Sequence, residues 1–170
     1  MIPDMELSDR VTAFRKKFLS GLNERDEHKK FPHITLQHTF GRPVEIEEEI
    51  DPGLQSMGKD FSPFEVSLSG IGHFDKRVIW LKVVDNPVLS ELNIRIKKFL
   101  LEKMRFTADE VSSDYIPHIT LEKKLRKEDF EKCWKIISDE KFEGSFTADS
   151  FSLMRHTGVK WNEIRRYVFQ

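Results

Sequence analysis

The sequence predicts an α+β protein of two similar lobes, each an antiparallel sheet backed by helices, around a central cleft. The pentapeptide Pro-His-Ile-Thr-Leu occurs at residues 32–36 and again at 117–121. The copies are 85 residues apart, half of the 170-residue chain. Each copy lies in the same order of elements, a helix, a strand, a second helix and two extended runs. We therefore expect one bilobal domain over residues 1–170, with lobes of about 1–85 and 86–170.

Two stripes of apolar residues predict a helix before each copy of the pentapeptide. Both stripes recur at spacings of three and four residues, which is the period of one helix face. The first has Asp4 or Ser8 as its N-cap and Gly21 near its end, and the second begins after Asn86 and Pro87. The stripes are Leu7, Val11, Phe14, Phe18 and Leu22, and then Leu89, Leu92, Ile96, Phe99, Leu100 and Met104.

A helix and a hairpin are expected after each copy. Charge-rich amphipathic stretches predict helices over residues 44–57 and 126–138. Each half then closes with two extended runs that we interpret as a hairpin. These runs are residues 64–71 with 77–84, and residues 146–154 with 160–169.

The pentapeptides predict strands with one polar and one apolar face. Because strand side chains alternate between faces, His33, Thr35 and Gln37 share one side, and Ile34 and Leu36 share the other. The same alternation predicts that His38 lies with the apolar set and that Lys123 faces away from the second histidine. The polar face of the second copy comprises His118, Thr120, Glu122 and Lys124.

Composition and charge restrict the class of protein and of partner. Hydrophobic residues make up 38% of the chain, which excludes intrinsic disorder. The net charge of -1 predicts no overall attraction to long polyanions and favours short oligonucleotides or small phosphodiesters. The lone Cys133 excludes a disulfide framework and a multi-cysteine zinc site. Without a membrane-length apolar run or a signal peptide, the chain is expected in the cytoplasm.

The two histidines and the two threonines are the candidate catalytic set. Across a shared cleft, a neutral imidazole can remove a proton from a nucleophile while a protonated imidazole donates one to the leaving group. Thr35 and Thr120 can donate hydrogen bonds to phosphate oxygens as negative charge accumulates there. This set suits phosphodiester cleavage without a metal or another cofactor. The symmetry of the motifs leaves acid and base open, and we take His118 as the base and His33 as the acid.

Four residues near the motifs are candidate substrate-binding groups. Tyr115 and Phe74 could stack on a nucleobase, and Gln37 and Lys124 lie on the predicted catalytic faces. Each also has a structural interpretation, because most aromatic rings belong to the core and most charges are solvated. The same two interpretations, substrate contact or structural role, apply to Phe31, His73, Arg155 and His156.

The paired PHITL motifs, their half-chain separation and the repeated order of elements resemble the two-histidine (2H) phosphoesterase superfamily, particularly its bacterial 2'-5' RNA ligase-like and RNA 2',3'-cyclic phosphodiesterase branch. The resemblance covers nearly the whole chain and implies that His33 with Thr35, and His118 with Thr120, hold the phosphate. It implies RNA ends or small cyclic nucleotide phosphates as partners, and hydrolysis of a 2',3'-cyclic phosphate to a 2'-phosphate. Ligation of 2'-5' RNA, trimming of RNA 3'-ends and non-catalytic binding are the alternatives.

The start of the chain departs from that family. Its members usually begin with a hydrophobic strand before the first helix, whereas MIPDMEL is similar only to the end of that strand and the following turn. We expect that the first strand is absent or that another element covers the sheet edge. A monomer is expected, with association through an uncovered edge as the alternative.

Overall fold

The computed structural model describes residues 1–19, 31–111 and 114–170. Within these residues the helices are α1 (Met5–Leu19), α2 (Ile46–Lys59), α3 (Pro87–Glu102) and α4 (Lys127–Ile137), with a short 3-10 turn at Ala108–Glu110. The strands are β1 (Phe64–Phe74), β2 (Val78–Val83), β3 (His118–Glu122), β4 (Glu143–Ala148), β5 (Ser150–His156) and β6 (Trp161–Val168). The predicted helix positions Gly21 and Leu22 lie outside the described residues.

Two antiparallel sheets and the helices packed on them confirm the α+β class. One sheet has four strands in the order β3-β2-β1-β4, and the other pairs β5 with β6. Helix α1 contacts α4, β3 and β4, while α2 contacts β6 and α3. No helix within the described ranges is long and apolar enough to cross a membrane.

The assignment of strands to sheets differs from the prediction. The extended run 146–154 is two strands, because β4 ends at Ala148 and β5 begins at Ser150. Strand β4 pairs with the 64–69 part of β1, whereas β5 pairs with β6. Strands from both halves of the sequence therefore share the four-stranded sheet. Local alternation predicts an extended run but not its partner, because pairing depends on contacts far away in sequence.

The first pentapeptide is not a full strand, which differs from the prediction. Its regular pairing within the sheet is a single antiparallel bridge from Ile34 to Ile119 of β3. Ile34 also exchanges two backbone hydrogen bonds with Met1, of 2.9 and 3.0 Å, and so lies between Met1 and Ile119. After that the chain bends at Leu36, whose carbonyl accepts a 2.6 Å hydrogen bond from the buried Asn93 side chain of α3. The first pentapeptide therefore covers the outer edge of β3.

A bulge in β3 changes which side chains face the core. Trp80 of β2 pairs with Thr120, but the adjacent Ile79 pairs with Glu122, which leaves Leu121 as an extra residue. Glu122 is consequently turned inward and is only 1% exposed. It accepts a 2.9 Å hydrogen bond from Arg15 of α1, which is also buried. The prediction that Glu122 shares a face with His118 is therefore wrong.

The Arg15–Glu122 ion pair predicts a stability test. Removing one partner leaves the other charge buried, so Glu122→Ala should lower the free energy of unfolding by about 3–5 kcal/mol. The double variant Arg15→Met with Glu122→Leu should lose much less, because neither charge remains. Denaturant unfolding of the three proteins measures this difference. A double variant as unstable as Glu122→Ala would contradict the expectation.

Candidate active site

The two motif histidines are held by the same hydrogen bond. His33 Nδ1 lies 2.9 Å from the carbonyl oxygen of Phe31, and His118 Nδ1 lies 2.7 Å from that of Ile116. A carbonyl oxygen can only accept, so each Nδ1 carries the proton and donates it. In the neutral ring this leaves the lone pair on Nε2. Both histidines are therefore oriented with Nε2 as the nitrogen available for proton transfer.

The bridge between Ile34 and Ile119 brings the two motifs together. Both isoleucines are buried, at 1% and 0% exposure, so their sequence neighbours point to the opposite face. In an antiparallel pair, the residue before Ile34 lies opposite the residue after Ile119. This arrangement sets His33 beside Thr120 and Thr35 beside His118, at the spacing of cross-strand neighbours. The charge of His118 lowers the pKa of His33, so the two motif histidines lie near each other.

The surroundings of the two imidazoles favour their neutral forms. Burial lowers the pKa of both His33 and His118 below the ordinary value of 6.5, and the hydrogen bond to a backbone carbonyl partly opposes this effect. The positive charges of the amino terminus, Lys123 and His118, in that order of size, lower the pKa of His33 further. The charge of His38 does the same for His118. Each ring therefore binds a proton weakly, which suits a base in the resting protein and a strong acid once it is protonated.

An aromatic wall stands beside His118. The Phe74 ring packs edge-on at 5.1 Å between centroids, and the Trp80 ring lies at 5.8 Å. Trp80 lies over Gly72, where a Cβ atom would come within 2.4 Å of the indole. Any larger residue at 72 would displace the indole. On the other motif, Phe31 lies 5.1 Å from His33 and is exposed. Each motif imidazole therefore has a phenylalanine at its side.

Two residues were predicted on the wrong face. The bend after Leu36 ends the strand alternation, so His38 is exposed and lies near enough to His118 to lower its pKa. The bulge at Leu121 shifts the alternation of β3, so Lys123 acts on His33 instead of facing away. Their roles were missed because a bend and a bulge both reverse the parity on which the prediction depended.

The predicted substrate-binding residues occupy different surroundings. Gln37 donates its side-chain amide to the carbonyl of Glu110 at 2.8 Å. The Tyr115 ring packs against the core, and burial raises the pKa of its hydroxyl. Lys124 lines a groove beyond the end of β3 rather than sharing the His118 face, because the bulge and its own positive φ of 59° redirect it. Of the four, Phe74 is the one with a ring contact to a motif histidine.

Three further residues make contacts outside the motif pair. His73 packs edge-on against Phe130 and Trp134 of α4, at 5.2 and 5.0 Å between ring centroids. Arg155 forms a two-pronged ion pair with Glu47 of α2. His156 packs on Trp161 in the β5–β6 hairpin. In the described part of the chain, no group of three or more His, Cys, Asp or Glu side chains is arranged to hold a metal ion.

Comparisons with known proteins identify the family of the chain. The family model "2'-5' RNA ligase superfamily" matches residues 3–160. A curated protein of Oceanobacillus iheyensis named "Putative phosphoesterase OB1230" is 22% identical over 158 residues, which cover 91% of this chain and 85% of that protein.

Solved structures show the same fold. TT0787 of Thermus thermophilus superposes with a TM-score of 0.71 at 18% identity, covering 97% of this chain and 92% of that one. E. coli LigT in complex with 3'-AMP gives a TM-score of 0.72 at 18% identity, covering 99% and 95% of the respective chains.

The electrostatic contact between His38 and His118 predicts a measurable shift. His38→Ala removes a positive charge, so the pKa of His118 should rise toward 6.5. The burial contribution remains, so the midpoint should stay below that value. NMR titration of the imidazole protons measures both motif histidines, and His156 in the β5–β6 hairpin serves as the internal reference. An unchanged His118 midpoint would show that His38 does not act on it.

Proposed function

Because the chain belongs to the 2'-5' RNA ligase superfamily, whose model matches residues 3–160, we propose that it is a phosphodiesterase that opens 2',3'-cyclic phosphates on RNA ends or small nucleotides. The observation that carries the proposal is the matched pair of imidazoles. Both are oriented through Nδ1, and the Ile34–Ile119 bridge joins the two motifs that carry them. General acid and general base can therefore act on one phosphate at the same time.

The proposed reaction needs two proton transfers. Neutral His118 accepts a proton from water through Nε2, and the water oxygen bonds to phosphorus. The bond from phosphorus to the ribose 3'-oxygen breaks, and protonated His33 donates its Nε2 proton to that oxygen. The products are a 2'-phosphate and a 3'-hydroxyl, and the two histidines have exchanged protonation states. No metal is needed, because one imidazole accepts the proton of the water and the other donates a proton to the leaving oxygen.

Four more side chains are proposed to stabilise the transition state and hold the substrate. Thr35 and Thr120 donate hydrogen bonds to the non-bridging phosphate oxygens, on which negative charge accumulates. Lys123, whose charge acts on His33, stabilises the same oxygens. Phe74 offers its ring to a nucleobase beside His118. The 3'-AMP bound by E. coli LigT supports a nucleotide end as the ligand.

Replacing either histidine tests the proposed reaction. His33→Ala and His118→Ala should each lower kcat by at least about 100-fold on a nucleoside 2',3'-cyclic phosphate, since each removes one proton transfer. Assays in EDTA across pH 5 to 9 should give a bell-shaped profile for the wild-type protein. His156→Ala is the matched control, because that ring packs on Trp161 in the hairpin. Wild-type turnover in either motif variant would refute the site, and binding without turnover in the wild type would indicate a non-catalytic module.

A substrate with a better leaving group separates acid from base. In a cyclic phosphate with sulfur in place of the 3'-oxygen, the sulfur leaves as a thiolate without protonation. This substrate should therefore restore turnover to the variant that lacks the acid. We expect recovery in His33→Ala and not in His118→Ala. Recovery in the opposite variant would reverse the two roles.

Lys123 and Lys124 form a matched pair of adjacent lysines. Because the charge of Lys123 acts on His33, Lys123→Ala should lower kcat/KM for a nucleoside 2',3'-cyclic phosphate by about 10-fold or more. Lys124→Ala removes the same charge one residue away and should stay within about twofold of the wild type. Equal losses in both variants would show that only the general field of positive charge matters.

A further inference from the structure

A groove rich in positive charge lies between the β1–β2 turn and the loop from β3 to α4. It has a volume of about 580 Å³. Five of its lining residues are cations and two are acids, although the whole chain carries a net charge of -1. The lining comprises Asp75, Lys76, Arg77, Lys124, Leu125, Arg126, Lys127 and Glu128. We call it the hairpin groove.

Two of these cations occupy positions that are locally unfavourable for them. Lys76 has a φ of +52° at the second central position of a two-residue turn closed by a 2.9 Å hydrogen bond from Arg77 N to Phe74 O. Glycine or asparagine is preferred there, because a side chain is strained at positive φ. Lys127 is the first residue of α4, where the helix dipole disfavours positive charge. Side chains that oppose local stability are typical of functional sites.

The hairpin groove is joined to the candidate active site. Its two walls are linked by a 3.0 Å hydrogen bond from Leu125 N to Arg77 O. Phe74, the residue before the turn, contacts His118 with its ring. Along the other wall, Lys124 lies six residues after His118, which is at most about 20 Å of extended chain. A strand of several nucleotides with its end at His118 is long enough to reach the groove.

We propose that the hairpin groove binds the backbone phosphates of a single-stranded RNA a few nucleotides before the end that reacts at the two histidines. This inference rests on the proposed function for the identity of that end. Lys76, Arg77 and Lys127 are all exposed and present the positive charge. The groove would make an oligonucleotide a better substrate than a free nucleoside cyclic phosphate. A local track of this kind also provides phosphate binding in a chain without overall positive charge.

Binding of a defined RNA tests the groove without turnover. The probe is a fluorescein-labelled ten-nucleotide RNA ending in a 3'-phosphate, measured by anisotropy at several salt concentrations. Arg77→Ala with Lys127→Ala should raise Kd by about 10-fold or more and lower the salt dependence by about 0.7 for each lost contact. The matched control is Lys59→Ala with Lys98→Ala, exposed lysines on α2 and α3, which contribute nothing to the groove. Equal weakening of RNA binding in the groove variant and the control variant, or no weakening in either, would overturn the proposal.

Lys76→Gly gives a second and independent result. Glycine relieves the positive-φ strain, so Tm should rise, while the lost charge should weaken RNA binding. A purely structural lysine would not give this combination, and a rise in Tm with unchanged Kd would contradict the proposal.

Turnover separates this proposal from the proposed function. The groove variants should lose kcat/KM on an RNA with a 2',3'-cyclic phosphate end and stay within about twofold on a nucleoside 2',3'-cyclic phosphate. Equal losses on both substrates would overturn the groove. If the wild-type protein turned over neither substrate, the proposed cyclic phosphodiesterase activity would be refuted. The anisotropy measurement would still test whether the groove binds RNA.

Discussion

The backbone bridge between Ile34 and Ile119 is the contact on which the candidate site depends. It joins two segments that lie 85 residues apart and buries both isoleucines, so the flanking histidines and threonines must share the other face. Neighbouring parts of the fold hold this bridge in place. Met1 pairs with the outer side of Ile34, and Asn93 holds the carbonyl of Leu36. A short pairing can therefore carry the site because core packing on one face and hydrogen bonds on both sides support it.

Burial and orientation of the imidazoles are parts of the same arrangement. The hydrogen bond from Nδ1 to a backbone carbonyl fixes the ring and stabilises its protonated form, while burial and neighbouring positive charges oppose protonation. The pKa of each histidine is the balance of these effects. Phe74 and Trp80 contribute to it by removing water from one side of His118. In the proposed function, the aromatic wall serves acid-base chemistry and also offers a stacking surface to a nucleobase.

The bulge at Leu121 links stability to the chemistry of the site. It turns Glu122 into the core, where the carboxylate meets Arg15, and it sends Lys123 toward His33. Strand alternation without a bulge predicts the reverse for both residues. The bend at Leu36 has the same effect on His38 in the first motif. Both irregularities depend on partners elsewhere in the chain, so a rule based on neighbouring residues could not find them.

The α+β class, the helix before each pentapeptide and the identity of the motif residues could all be predicted from local patterns in the sequence. Apolar spacing and an exact repeat are local signals, and they predict these features whatever the surroundings. Contacts between distant parts of the chain were needed to establish that β1 pairs with β4, that the first motif contributes one bridge rather than a strand, and that the charge of Lys123 acts on His33. The physical reason is that strand partners, bulges and bends are chosen by long-range hydrogen bonding and core packing, and one shifted residue reverses every side chain that follows.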